Sequence, residues 1–279
     1  MTTDRALDTG PGLALTAESV AAVQRRTRGV LMVGQVLAGL GMGATLSIGA
    51  VLAADVSGSP AFSGMAATAV TLGAALAAIP LARLARRTGR APALATGALT
   101  AATGAVISMA AAGLQSFPLL LLGILLIGSG TAVNLHSRFA AVDLASAATR
   151  GRDLSLVVWA TTVGAVSGPN LIGPGETLGA YLGLPDLSGP FLFTVIAQSL
   201  AAVLYLVGLR PDPLRVAEAW RLERARAARA EKDRSGVAAP TVEVAVDDRP
   251  GIRLAMLSIA LSHATMVAVM AMTPVHLTA

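Results

Sequence analysis

Residues 161–175 read TTVGAVSGPNLIGPG. Gly164, Gly168 and Gly173 interrupt an apolar run, and Pro169 and Pro174 each follow a glycine directly. Glycine and proline ordinarily end helices. Here they stand inside a stretch, 154–173, that is uncharged and about as long as the ~20 residues needed to cross the hydrocarbon of a bilayer. Gly164 and Gly168 are four apart and share one helical face, a small-xxx-small spacing that lets a second backbone approach. Pro169 removes a helical hydrogen bond and predicts a kink, which a membrane helix tolerates when neighbours satisfy the freed groups.

The rest of the chain fits that setting. The 279 residues are 54% hydrophobic and 13% charged, with a mean hydropathy of +0.69. Soluble domains carry about 25% charged residues. Aromatic residues make up 3%, so the apolar mass is Ala, Leu, Val and Gly, which suits helices packed closely in lipid. There is no cysteine, which excludes disulfides and thiol chemistry.

Seven uncharged stretches predict membrane spans: 30–53, 61–82, 92–112, 118–137, 154–173, 190–209 and 254 to about 273. The first is too long for the apolar part of a signal peptide. The connections alternate in charge. Residues 1–29, 83–91, 138–153 and 210–253 hold all 21 basic residues, whereas 54–60, 113–117 and 174–189 hold none. The positive-inside rule therefore expects a cytoplasmic N-terminus. The high pI reflects these loops rather than a nucleic-acid surface, because the arginines lie between hydrophobic spans.

The fold class expected is all-α, a polytopic membrane bundle. Its organisation is a polar cytoplasmic tail (1–29) without helical period, six spans (30–209), a basic cytoplasmic linker (210–253), and a seventh span (254–279). The linker segment PLRVAEAWRLERARAARAEKDR is rich in helix formers, with a rough apolar stripe at Leu214, Ala217, Trp220 and Leu222. That helix has three readings: on the membrane surface, packed on the bundle, or solvated.

The order Gly164, three residues, Gly168, Pro169, three residues, Gly173 resembles the fifth-helix signature of the major facilitator superfamily, especially its antiporter branch. The usual ending is two adjacent glycines, and here it is Ile172-Gly173-Pro174. The preceding VDLASAATRGRDLSLVVW is similar to the family's link between helices four and five, with an acidic residue closing helix four (Asp143) and an R-G-R triplet opening helix five (Arg150, Gly151, Arg152). The family's loop between helices two and three usually reads G-x-x-x-D-R-x-G-R-R. The present ARLARRTGRA puts Ala82 for the glycine and Arg86 for the aspartate, and keeps Arg87, Gly89 and Arg90. With that aspartate gone, Asp143 is expected to pair with Arg86 or Arg87. The arginine that proton antiporters often carry early in helix four aligns with Ile124.

The resemblance implies alternating access between two six-helix halves. This chain holds the first half and one helix more, so it is expected to be a fragment, or else to work with a partner half. The function implied is secondary transport, most simply proton-coupled efflux of a small compound across the plasma membrane. Metabolite uptake and a non-transporting membrane subunit are the alternatives. No cofactor is expected; the partners are lipid, a small-molecule substrate, protons and the missing half.

Ionisable and polar residues inside spans are the pathway candidates. His263 stands about 10 residues past Arg253, or ~15 Å into the bilayer. Arg138 falls at the basic boundary of span four. By the resemblance, helices one, four and seven line the cavity, which favours Gln35, Asn134 and His263 over Gln198. Asn170 in span five completes the set, with His136, Trp159 and Thr162 as further polar positions. Each of these has a plainer reading, interhelical hydrogen bonding. Arg86, Arg87, Arg90, Asp143, Arg150 and Arg152 are expected as charges of a cytoplasmic gate. Enzyme readings find no support: there is no H-E-x-x-H and no G-x-x-x-x-G-K, and no span holds paired acids. The only lysine, Lys232, lies in the linker, which excludes a retinal-type last helix.

Overall fold

The structure, a computed structural model, describes residues 16–235 and, further on, residues 251, 254, 257, 258, 261 and 262. Residues 1–225 and 226–279 form two units. The first holds the bundle. The second holds the last turns of the linker helix and the six helical residues just named. Most of the expected seventh span, His263 included, lies outside the described residues. Among the described residues there is no β-strand.

Within residues 16–235 there are nine α-helices: α1 (Ala17–Ser57), α2 (Ser63–Thr88), α3 (Arg90–Leu114), α4 (Phe117–Ile127), α5 (Ser129–Val142), α6 (Arg150–Ser167), α7 (Ile172–Tyr181), α8 (Gly189–Gly208) and α9 (Pro213–Ser235). Among the described residues, six segments are long and apolar enough to cross a membrane. The fourth combines α4 with α5. The fifth combines α6 with α7 through a single 3-10 turn at Pro169–Leu171. All six expected spans of the first half are therefore present as helices.

Two helices outrun their apolar cores. α1 has 41 residues, about 60 Å of helix, against a hydrocarbon thickness of ~30 Å. It begins thirteen residues before the stretch expected to span, in a region read as lacking helical period. The helical stripe there is mixed in polarity, which hides it: Val20, Gln24, Thr27 and Leu31 are all buried. A capping box starts the helix, with Ser19 N–H donating to Thr16 Oγ1 and Thr16 N–H to Ser19 Oγ. The fifth span likewise runs from Arg150 to Tyr181 and does not stop at Gly173. Pro169 tightens one turn and the helix resumes.

The core consists of two apolar clusters along the bundle. One lies toward the arginine-rich end, around Leu31, Leu81, Leu94, Val133 and Tyr205. The other lies toward the opposite end, around Ile48, Leu52, Leu120, Ile124 and Phe191. Ile124, the position where an arginine was absent, is a fully buried core residue. Backbones come close at glycines. Gly104 of α3 faces Gly123 of α4, and Gly73 of α2 faces the Leu125 carbonyl of α4.

The first turns of α9 pack on the bundle, where Val216, Ala217 and Ala219 are buried, while residues 221–230 are exposed. Asp212 fixes the start. Its Oδ2 accepts from Ala91 N–H at 2.8 Å, and its Oδ1 accepts from Leu214 N–H at 3.0 Å. One carboxylate thus caps both α3 and α9. Gly89 makes this possible. It has φ +107°, and any side chain there would strike the Asp212 carboxylate.

Candidate transport site

The opening motif forms one side of a helix seam. Gly164 packs on Val36, Gly39 and Leu40 of α1, and Gly168 packs on Gly43 and Ala44. From the other side, Gly39 meets Thr161, Gly164 and Ala165, and Gly43 meets Ala165 and Gly168. Two small-xxx-small faces therefore interlock, so that α1 and α6 touch backbone to backbone. Gly173 takes no part: nothing lies within 4 Å of where its Cβ would be. The sequence signal for the α1 half of the seam is GLGMG, residues 39–43, whose outer glycines share the four-residue spacing of Gly164 and Gly168. The middle glycine, Gly41, faces α8, where Thr194 Oγ1 donates to the Gly41 carbonyl at 2.9 Å and lies 2.9 Å from Thr45 Oγ1.

Beside the seam is a cavity of about 360 Å³. Ala38, Gly39, Met42 and Gly43 line it from α1, Gly130, Thr131 and Asn134 from α5, and Thr161, Ala165 and Pro169 from the fifth span. Its chemistry is apolar with hydroxyl and amide groups, suited to a small uncharged or amphipathic molecule.

The sequence candidates distribute around it unevenly. Asn134 lines the cavity, and its side-chain oxygen has no partner among the described residues. Gln35 is fully buried one turn closer to the arginine-rich end, with Nε2 donating to the Asn134 carbonyl at 3.4 Å. Arg138 lies one turn further along α5, half-buried, with Nε unpartnered among the described residues. Asn170 is exposed and donates back to the Val166 carbonyl of its own helix at 3.3 Å. His136 is buried and turned away, bonding the Ala78 carbonyl of α2 at 3.1 Å through Nε2. Gln198 is buried between helices with neither amide atom partnered among the described residues.

At the arginine-rich end Asp143 pairs with Arg90, not with Arg86 or Arg87. Arg90 Nε donates to Asp143 Oδ2 at 2.7 Å and Nη2 donates to Oδ1 at 3.1 Å. The reason is the turn at Gly89. It leaves Arg86 and Arg87 exposed on the last turn of α2 and starts α3 with Arg90 facing the end of α5. Arg150 and Arg152 are exposed. A second charge cluster, absent from the sequence reading, centres on Asp153. It is 1% exposed. Arg28 Nη1 donates to its Oδ1 at 2.8 Å, and Gln24 Nε2 donates to its Oδ2 and to the Ala141 carbonyl, each at 2.8 Å. The available signal was its place, the carboxylate nearest the apolar run of span five.

A six-span helical half-bundle with a glycine seam between its first and fifth spans, a largely apolar cavity beside that seam and paired charges at one end is the architecture of one half of a facilitator-type membrane protein. The Major Facilitator Superfamily profile matches residues 31–279, and the chain belongs to that family. It is 35% identical over 260 residues to the uncharacterized MFS-type transporter YdeG of Bacillus subtilis strain 168, covering 93% of this chain and 59% of that protein. It is 36% identical over 258 residues to the uncharacterized MFS-type transporter YddS of the same organism, covering 91% and 57%. The riboflavin transporter RfnT of Brucella anthropi is 30% identical over 199 residues, covering 69% of this chain and 49% of that protein. The chain thus spans less than three-fifths of the length of these relatives. No solved structure matches it.

Proposed function

We propose that this chain supplies the first half and the seventh helix of a plasma-membrane secondary transporter with a cytoplasmic N-terminus. Its activity is proton-coupled efflux of a small compound by alternating access. One observation carries this reading: a cavity walled by the first, fourth and fifth spans beside a seam whose backbones touch. Such a seam lets the fifth span stay sealed against α1 while the other wall changes. The second and fifth spans are the least buried of the six. Leu76 and Ile79 on α2 and Trp159 and Val166 on α6 are exposed, each by more than half. These faces suit the remaining half of a two-half transporter. Asn134 contacts substrate in the cavity, Gln35 holds the Asn134 backbone from behind, and Arg138, one turn along α5, supplies the positive charge on the side of the arginine-rich end. Arg90–Asp143, with Arg86, Arg87, Arg150 and Arg152, forms the cytoplasmic gate, and His263 relays the proton.

The test is accumulation of an uncharged amphipathic fluorescent dye by cells expressing the full-length protein, with and without an uncoupler. Efflux coupled to protons predicts low accumulation that rises on uncoupling, with the His263→Gln variant losing the pH dependence of transport. Uptake of a metabolite is the second reading, favoured by the similarity to a riboflavin transporter. It predicts the opposite sign: accumulation of labelled riboflavin above control cells.

A further inference from the structure

A second cavity, of about 590 Å³, lies at the arginine-rich end, between the start of α1, the α5–α6 link and the first turns of α9. It shares no lining residue with the transport cavity. Part of its wall is apolar, from Val20 and Ala21 of α1 and Ala217 and Trp220 of α9. The rest is cationic from three separate elements: Arg25 and Arg28, Arg150 and Arg152, Arg221 and Arg224.

The charges are unbalanced. Two carboxylates reach the cavity, and both are already engaged, Asp153 by Arg28 and Asp143 by Arg90. Arg25, Arg150, Arg152, Arg221 and Arg224 have no carboxylate within ion-pair distance among the described residues. Glu18, Glu218 and Glu223 belong to the same helices but do not line the cavity. Arg224 stacks on the Trp220 ring, its guanidinium carbon 4.7 Å from the centroid. Five uncompensated guanidiniums around one space repel each other, and an anion among them relieves that repulsion. Guanidinium forks match phosphate oxygens bidentately. An apolar wall with a tryptophan at the end of a membrane bundle matches the glycerol and upper acyl region of a lipid.

We propose that this cavity binds a phosphate-bearing anion, namely the headgroup of an anionic phospholipid from the leaflet on the basic side. A bound lipid ties the α9 linker helix to α1 and to the start of α6 through shared phosphate contacts. The site is separate from the substrate cavity, so its test does not depend on transport.

The chain has two tryptophans, so Trp159→Phe leaves Trp220 as the sole emitter. The purified chain in neutral detergent is titrated with dihexanoyl phosphatidylglycerol, with dihexanoyl phosphatidylcholine, and with sodium phosphate at matched ionic strength. Retained lipid is counted in parallel by native mass spectrometry. The expected result is a saturable Trp220 response to phosphatidylglycerol and a response at least about tenfold weaker to phosphatidylcholine. R150Q/R152Q, two exposed positions on a different element from the tryptophan, shifts half-saturation upward by about tenfold or more. R83Q/R86Q, with the same loss of charge outside the cavity, leaves it within about twofold. Saturation by sodium phosphate at a similar concentration overturns the lipid assignment in favour of a soluble phosphate. The absence of saturable binding, or binding that R150Q/R152Q leaves unchanged, overturns the site.

Discussion

Asp153 accepts from two donors, and both come from α1, more than 120 residues earlier in the chain. Removing its charge leaves Arg28, with a side chain only 22% exposed, without its counter-ion. Breaking such a buried pair from one side costs about 3 kcal/mol. Asp153→Asn is therefore expected to lower the thermal midpoint of the detergent-solubilised chain by several degrees. Arg28→Gln combined with Asp153→Asn should cost less than the sum of the two single changes. Strict additivity, read from the same unfolding curves, would show that the pair is not coupled. Asp143 could be recognised from sequence because it closes span four, but its partner could not. The choice among Arg86, Arg87 and Arg90 depends on a left-handed turn at Gly89 that rotates one arginine inward and leaves two outside. Asp153 was harder still, since nothing local marks a carboxylate whose donors arrive from another helix.

At the scale of helices, the glycine spacing in the fifth span predicted close packing correctly but not what it packs on. Gly164 and Gly168 meet the backbone of α1, which cannot yield as a flexible side chain can. Gly168→Val is expected to push α1 and α6 apart and cost about 1–3 kcal/mol, seen as a lowered thermal midpoint and loss of transport by the full-length protein. Gly173→Ala meets open space and is expected to be neutral or to stabilise by up to about 1 kcal/mol. Equal damage from the two changes would remove the seam as an explanation for the motif. Span boundaries were legible only as far as hydropathy reports them. Hydropathy marks the part of a helix in lipid, whereas capping and buried polar residues such as Gln24 and Thr27 extend α1 beyond it. The same holds for α9, whose docking rests on Asp212 capping two helices at once. Asp212→Ala removes both caps at about 1 kcal/mol each, and should speed tryptic cleavage within α9 several-fold; unchanged cleavage would mean that packing of Val216 and Ala217 holds α9 without it.

For the whole molecule, the distribution of arginines predicted the path of the chain, and the six described spans follow that path. The candidate cavity beside the seam was less legible, because it is built mostly from Ala, Gly, Thr and Asn on three spans, residue types that also fill ordinary packing contacts. Composition cannot separate the two uses; only the assembled bundle places Asn134 beside a void and His136 against the Ala78 carbonyl. The central claim is that the spans cross the membrane with every basic connection on one, cytoplasmic, side. The natural absence of cysteine allows a direct test. Single cysteines at Thr88 and Ala148, in two arginine-bearing connections, and at Ser59 and Asp186, in two connections without basic residues, would be exposed in intact cells to a membrane-impermeant maleimide. The prediction is that the cysteines at 59 and 186 are labelled from outside, and those at 88 and 148 only after the membrane is permeabilised. Labelling of 88 or 148 in sealed cells, with 59 and 186 protected, would contradict it.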